Sequence, residues 1–248
     1  MPPIDWILLT AVSFVAALVQ GATGFGFAVV ALPFYLLILG SLSAVQVTII
    51  VTLALTISVA LREWRNAPKA LLGRLVGGTL IGFPAGIFAY RHADLETAKL
   101  AVGLLIVGFA VWLLLTRGDR PARESPATHP IADIAVGIIS GAMATSLGMP
   151  GPVVLIYLSA LGAGKETMRG TLLALFVFSY TGALALQGWQ VGIDGATWTT
   201  AAILIPACLA GAATGHAVSK FLDQRTFRFV VLAILVATGL YMTWTTVL

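Results

Sequence analysis

Apolar residues run along this chain in long blocks and do not alternate with polar ones as the face of a strand would. The blocks occupy roughly residues 5–20, 27–39, 42–61, 75–90 and 100–116, and then, after a polar stretch at 117–130, roughly 131–146, 150–161, 170–187, 196–219 and 229–247. Residues 6–61 contain no Asp, Glu, Lys, Arg or His, whereas one membrane-spanning helix needs only about 20 apolar residues. In lipid only helices and closed barrels satisfy their own backbone, and blocks without strand-like alternation predict helices. The expected fold is an all-α polytopic membrane protein of about eight to ten membrane segments.

Composition sharpens this. Of 248 residues 59% are hydrophobic and 10% charged, against about 25% charged in a soluble domain. Short loops leave no room for an extramembrane domain, so function is expected inside the bilayer. The net charge of +4 does not read as a nucleic-acid site, because Lys and Arg cluster between apolar runs as topology signals do. The single Cys208 excludes an internal disulfide or a thiolate metal site. Residues 1–6 carry no Lys or Arg, so the first segment lacks the basic region of a cleaved signal peptide and is expected to be retained.

The two sets of blocks match one another. Gly82, Gly86, Arg91, Asp94, Thr97 and Lys99 recur at one constant spacing as Gly211, Gly215, Lys220, Asp223, Thr226 and Arg228. Earlier in each half, Gln46 and Thr48 fall on Arg169 and Thr171. Such agreement predicts an internal duplication, with a first membrane repeat at 1–116, a cytoplasmic linker at 117–130 and a second repeat at 131–248. If each half crosses the membrane an odd number of times, all Lys and Arg except Arg91 and Lys99 fall on one side. The positive-inside rule then predicts inverted-topology repeats with both termini outside. Trp6, Trp64, Trp112, Trp189, Trp198 and Trp244 all lie near segment ends, where an interfacial belt would place them.

Each half opens with two short segments joined by a glycine-rich break, expected to form a broken, re-entrant helical hairpin followed by three transmembrane helices. In the first half the break is Gln20-Gly21-Ala22-Thr23-Gly24-Phe25-Gly26-Phe27, and in the second Thr145-Ser146-Leu147-Gly148-Met149-Pro150-Gly151-Pro152. Flanking segments of about 16 and 13 residues would be about 24 and 20 Å long, short of the roughly 30 Å hydrocarbon core. The breaks are therefore expected within the membrane, where irregular backbone must be buried or line a wet cavity. A helix restarting after glycine directs unpaired N–H groups and the positive end of its dipole at a ligand, which suits an anion. Candidate substrate-binding residues are Gln20, Thr23, Gly24, Phe25, Gly26, Gln46, Thr145, Ser146, Gly148, Gly151 and Arg169, the last because a guanidinium matches an oxyanion. Arg169 reads equally well as a cytoplasmic anchor beside Lys165. The ladders Gly78/Gly82/Gly86 and Ala207/Gly211/Gly215 are expected to be helix-packing faces, and His216 could act in the site or snorkel to the surface.

No carboxylate stands mid-segment, since Asp5, Asp133 and Asp194 fall at edges, so no acidic proton relay is visible. An anion leaving a cell that is negative inside is already favoured by about 2.3 kcal/mol per charge per 100 mV. No cofactor motif or metal-ligand spacing occurs either.

The stretch at 20–27 followed by Pro33, the stretch from Ser140-Gly141 to Gly148-Met149-Pro150-Gly151-Pro152, and Met168-Arg169-Gly170-Thr171 together resemble the TauE/SafE family of sulfite and organosulfonate exporters. Ala144-Thr145-Ser146 departs from the glycine-rich string that the family pattern would place there. The resemblance covers essentially the whole chain, and it implies a bacterial inner-membrane exporter of sulfite, sulfoacetate or related anions. The expected partners are a small anionic substrate and the lipid bilayer; a homo-oligomer is compatible with the small-residue faces, which pack equally well within or between chains. The competing readings are an importer or permease for another anion, an intramembrane enzyme, for which no nucleophile-and-base set is present, and a membrane assembly factor.

Overall fold

The computed structural model describes residues 2–63, 66–115, 129–218 and 239, and every regular element among them is a helix. In chain order these are α1 (Pro3–Thr23), α2 (Phe27–Leu39), α3 (Ser43–Glu63), α4 (Lys69–His92), α5 (Leu95–Leu115), α6 (Pro130–Leu147), α7 (Gly151–Ala160), α8 (Lys165–Gln190) and α9 (Gly195–Val218). The first nine apolar blocks each become one helix. All of the tenth block but Gly239 lies outside the described residues, as do most of the polar linker, Trp64, Trp244 and the matches at Lys220, Asp223, Thr226 and Arg228.

Several helices run past their apolar blocks into polar residues. Arg74, expected in a loop, is the sixth residue of α4, which begins at Lys69. Likewise α1 continues through Gln20-Gly21-Ala22-Thr23 to 21 residues, about 32 Å. That corrects the expectation that both arms of the first hairpin stop short of the hydrocarbon core, because its first arm is long enough to cross. The short arms are α2, with 13 residues and about 20 Å, and α7, with 10 residues and about 15 Å. Among the described residues α1, α4, α5, α6, α8 and α9 are long and apolar enough to span a membrane, so this is a multi-pass membrane protein.

The helices gather into two compact units, each drawing on both halves of the sequence. Unit 1 comprises residues 1–51, 93–118 and 195–248; unit 2 comprises 52–92 and 119–194. The hairpin α1–α2 thus packs with α9, and the hairpin α6–α7 packs with α4 and α8.

Unit 2 is held by a seam of glycines. A Cβ added at Gly78, Gly82 or Gly86 of α4 would overlap the carbonyls of Ile134, Ile138 or Ala142 on α6. In return, a Cβ on Gly137 or Gly141 would overlap the carbonyls of Leu75 or Thr79. The spacing is four residues on both helices, the ridges-into-grooves pattern in its small-residue membrane form. Backbones approach this closely only because no side chain intervenes, and in lipid that packing, not a hydrophobic force, holds helices together.

Unit 1 builds the same seam from other residues. Cβ atoms added at Gly211 and Gly215 of α9 would overlap the Phe14 and Leu18 carbonyls of α1, and one at Gly21 would overlap Ala212. Polar contacts coincide as well. In unit 2 the Thr79 hydroxyl donates to the Gly137 carbonyl at 3.3 Å; in unit 1 Cys208 and Ser13 stand in those places, and the Cys208 thiol lies 3.8 Å from the Ser13 carbonyl. The packing role expected of both ladders is borne out.

Candidate substrate site

In unit 1, α1 ends because Gly24 adopts a left-handed conformation, φ 87°, with its N–H on the Gln20 carbonyl at 2.7 Å. Two residues on, Gly26 at φ 106° is the N-cap from which α2 restarts, a conformation that costs an L-residue about 1–2 kcal/mol. Thr23 ties the turn to itself: its hydroxyl accepts from the Phe25 N–H at 3.2 Å and lies within hydrogen-bond reach of the Val19 and Phe25 carbonyls. Thr23, Phe25 and Gly26 are half-buried, and Gln20 and Gly24 are buried. The first turn of α2 contains no proline, so the N–H groups of Phe27, Ala28 and Val29 all point out of the helix start, where its dipole is positive. Gln46, on the part of α3 that belongs to unit 1, is buried.

The corresponding break in unit 2 is closed off. Gly148 caps α6 at φ 63° and donates to Ala144, while Met149 donates to Met143. Three side chains then occupy carbonyls around it. The Ser140 hydroxyl donates to Pro150 at 3.0 Å, Tyr180 to Gly148 at 3.2 Å, and the Gln187 amide to Thr145 at 2.8 Å. Gly148, Met149, Pro150, Gly151 and Pro152 are all buried. Gly151 lies so close to the Phe176 ring that an added Cβ would meet it at 2.8 Å. Phe176 and Tyr180 stand near the middle of the 26-residue α8, so this break falls about halfway along a helix of roughly 39 Å. Pro150 and Pro152 remove two N–H groups from the start of α7.

The hydroxyls expected to hold an anion here are turned to backbone. Thr145 lies 3.1 Å from the carbonyls of both Phe83 and Gly141, and Ser146 donates to Ala142 at 2.7 Å. Arg169 is half-buried in the second turn of α8, on the same face as Phe176, Tyr180 and Gln187 by helical spacing. It lies about 10 Å along the axis from Phe176. His216 is exposed in the last turn of α9.

Sequence reasoning missed one polar cluster in unit 2. Asp133 is at the edge of α6 in sequence, yet it is 0% exposed. Arg74 reaches it from α4 at 2.7 Å, with its side chain 29% exposed, and the Tyr157 hydroxyl of α7 donates to its other oxygen at 2.5 Å. The signal that could have found it is the four-residue ladder: Gly78 of α4 abuts Ile134 of α6, so Arg74, four residues earlier, must come level with the first turn of α6. At unit 1's matching places stand Ile203, Leu9 and Pro33, so the ion pair has no counterpart there.

Compared with known proteins, the chain finds no curated relative and no solved structure at a significant level. The model of the sulfite exporter TauE/SafE family matches residues 9–242, which takes in both glycine breaks and both packing seams. The chain belongs to the sulfite exporter TauE/SafE family.

Proposed function

We propose that this protein exports small sulfur-containing anions, sulfite and sulfoacetate among them, across a bacterial inner membrane. In this reading the halves are inverted repeats, both termini face the periplasm, membrane potential drives export, and the protein is not an enzyme. The observation that supports it best is the start of α2. There a partly buried break with two left-handed glycines leaves the N–H groups of the buried Phe27, Ala28 and Val29 at the positive end of α2, with no fixed charge in the turn. Uncharged donors at a helix start bind an oxyanion without holding it too tightly to release. Gln20, Thr23, Gly24, Phe25 and Gly26 form that turn, and Gln46 is the unit 1 side chain proposed to complete the coordination there; in unit 2, Arg169 is proposed separately as an anion contact. Within unit 2, Thr145, Ser146, Gly148 and Gly151 are proposed to act through the backbone shape of the closed break.

The test is flux of labelled sulfite and sulfoacetate from proteoliposomes under an imposed potential, with acetate and phosphate as comparison anions. Export of the sulfur anions that follows the potential is the expected result. Flux that needs a proton gradient and is absent with potential alone would overturn the driving force. Equal flux of all four anions would overturn the substrate class.

A further inference from the structure

The closed break of unit 2 contains an unbalanced set of acceptors. The Gln187 side chain is wholly buried, and its orientation is unambiguous, because only its NH₂ can donate to the Thr145 carbonyl 2.8 Å away. Its carbonyl oxygen Oε1, on the same amide carbon, is therefore held beside the last turn of α6, where it has no hydrogen-bond partner. A buried acceptor left without a donor costs roughly 1–3 kcal/mol, so the site calls for something positive.

The helix end points the same way. Carbonyls in the last turn of an α-helix lack intrahelical donors. Here those of Met143, Ala144 and Thr145 are taken by Met149, Gly148 and Gln187. The next, Ser146, would look to the N–H four residues on, but that residue is Pro150, which has none. Leu147 is the last residue of α6. The Ser146 carbonyl, on a half-buried residue at the negative end of a helix dipole, and the buried Gln187 oxygen beside the same turn are both acceptors.

We infer that Gln187 Oε1 and the terminal carbonyls of α6 bind a monovalent cation of the sodium class. A divalent ion would require carboxylates, and among the described residues no cluster of acidic or metal-ligating side chains exists. Interrupted membrane helices commonly offer such ends to sodium. The cation site does not depend on which anion is carried.

The test uses the full chain in detergent at fixed ionic strength and fixed chloride, with sodium exchanged for choline and no sulfur anion present. A failure of the export reading therefore leaves this result untouched. The expected outcome is a saturable rise in melting temperature with sodium and one sodium-22 ion bound per chain. Gln187→Leu should remove an oxygen ligand and raise the half-saturating sodium concentration roughly tenfold or more. Ser140→Ala, which removes the hydrogen bond to the Pro150 carbonyl in the same break, should leave it unchanged and shows that perturbing the break is not enough. Equal melting in sodium and choline with no bound sodium-22, or an unchanged half-saturation in Gln187→Leu, would overturn the proposal and leave a water as the partner of Oε1.

Discussion

The two breaks occupy equivalent places in two similarly built units, and they differ in how they are held. In unit 1 the break at Gly24–Gly26 is half-buried at Phe25 and Gly26 and secured by its own turn through Thr23. In unit 2 the break at Gly148–Pro150 is buried and secured from outside by Ser140, Tyr180 and Gln187. Two similarly built units thus carry one break secured within its own turn and one pinned by side chains from neighbouring helices. The lesson is that matching backbone conformation does not carry matching chemistry; the side chains arriving from neighbouring helices decide it.

The largest effects are expected at the seams, where the units agree. Gly82→Leu and Gly211→Leu each force a side chain into a backbone carbonyl and should prevent recovery of a monodisperse protein by size-exclusion chromatography. Gly73→Leu, which meets nothing within 4 Å, should be recovered normally. Loss of only one of the two seam variants would show that the units are not equally dependent on close approach.

The ion pair separates the units more sharply. Asp133→Leu leaves Arg74 without its buried partner and should destabilise by up to about 3 kcal/mol, less whatever Arg74 recovers from solvent. The double variant Asp133→Leu with Arg74→Ile installs the residues that unit 1 carries at Leu9 and Ile203. It should restore most of the lost melting temperature, because a buried pair can be replaced by packed apolar residues at little cost. Failure of that rescue would mean that the pair and Tyr157 do something in unit 2 that apolar packing cannot.

A smaller stability effect, with a larger functional one, is expected at Gly26. Gly26→Ala introduces strain of about 1–2 kcal/mol at φ 106° and should lower anion flux while membrane insertion stays normal. Tyr180→Phe removes the hydrogen bond to Gly148 and the one shared with Thr52, each worth about 1 kcal/mol, and should lower melting temperature with less effect on flux. The reverse ranking of these two variants in a flux assay would assign the ligand to unit 2.

The smallest effect concerns Asp94, at the start of α5. The Thr97 hydroxyl and then the Thr97 N–H, the latter at 2.8 Å, donate to its carboxylate and hold it below the ordinary carboxylate value. A depressed native pKa means that the contribution is present above the unfolded pKa and is lost as pH falls through the native one. Asp94→Asn keeps the cap and should flatten that slight acid sensitivity in a melting series between neutral and acidic pH.

Much of the fold was legible in the residues, for a reason specific to membranes. A long run such as 6–61 without strand-like alternation reads as helices in lipid, and Gly24, Gly26 and Gly148 mark their breaks because few other residues tolerate positive φ. The partners of those helices were not legible. The ladder at Gly211 and Gly215 announces a close-packed face but not that the face belongs against Phe14 and Leu18, nearly the whole chain away. Nor does a lone Gln187 near the end of an apolar block reveal that its amide reaches back to Thr145. Asp133 misled for a related reason: position along a helix is written in the sequence, whereas burial depends on what comes alongside.

Because α1 meets α9, the first hairpin enters the bilayer long before its partner helix exists. At 5–20 residues per second, roughly ten to forty seconds separate the synthesis of Gly21 from that of Ala212. Throughout that interval the carbonyls of Phe14 and Leu18 face lipid or some stand-in companion. The order of manufacture therefore gives this protein a period during which an insertase or another membrane helix can occupy the vacant groove on α1. Severing the chain in the 117–128 stretch and producing the two pieces together should still yield active protein, whereas either piece alone contains half of each unit and should be degraded.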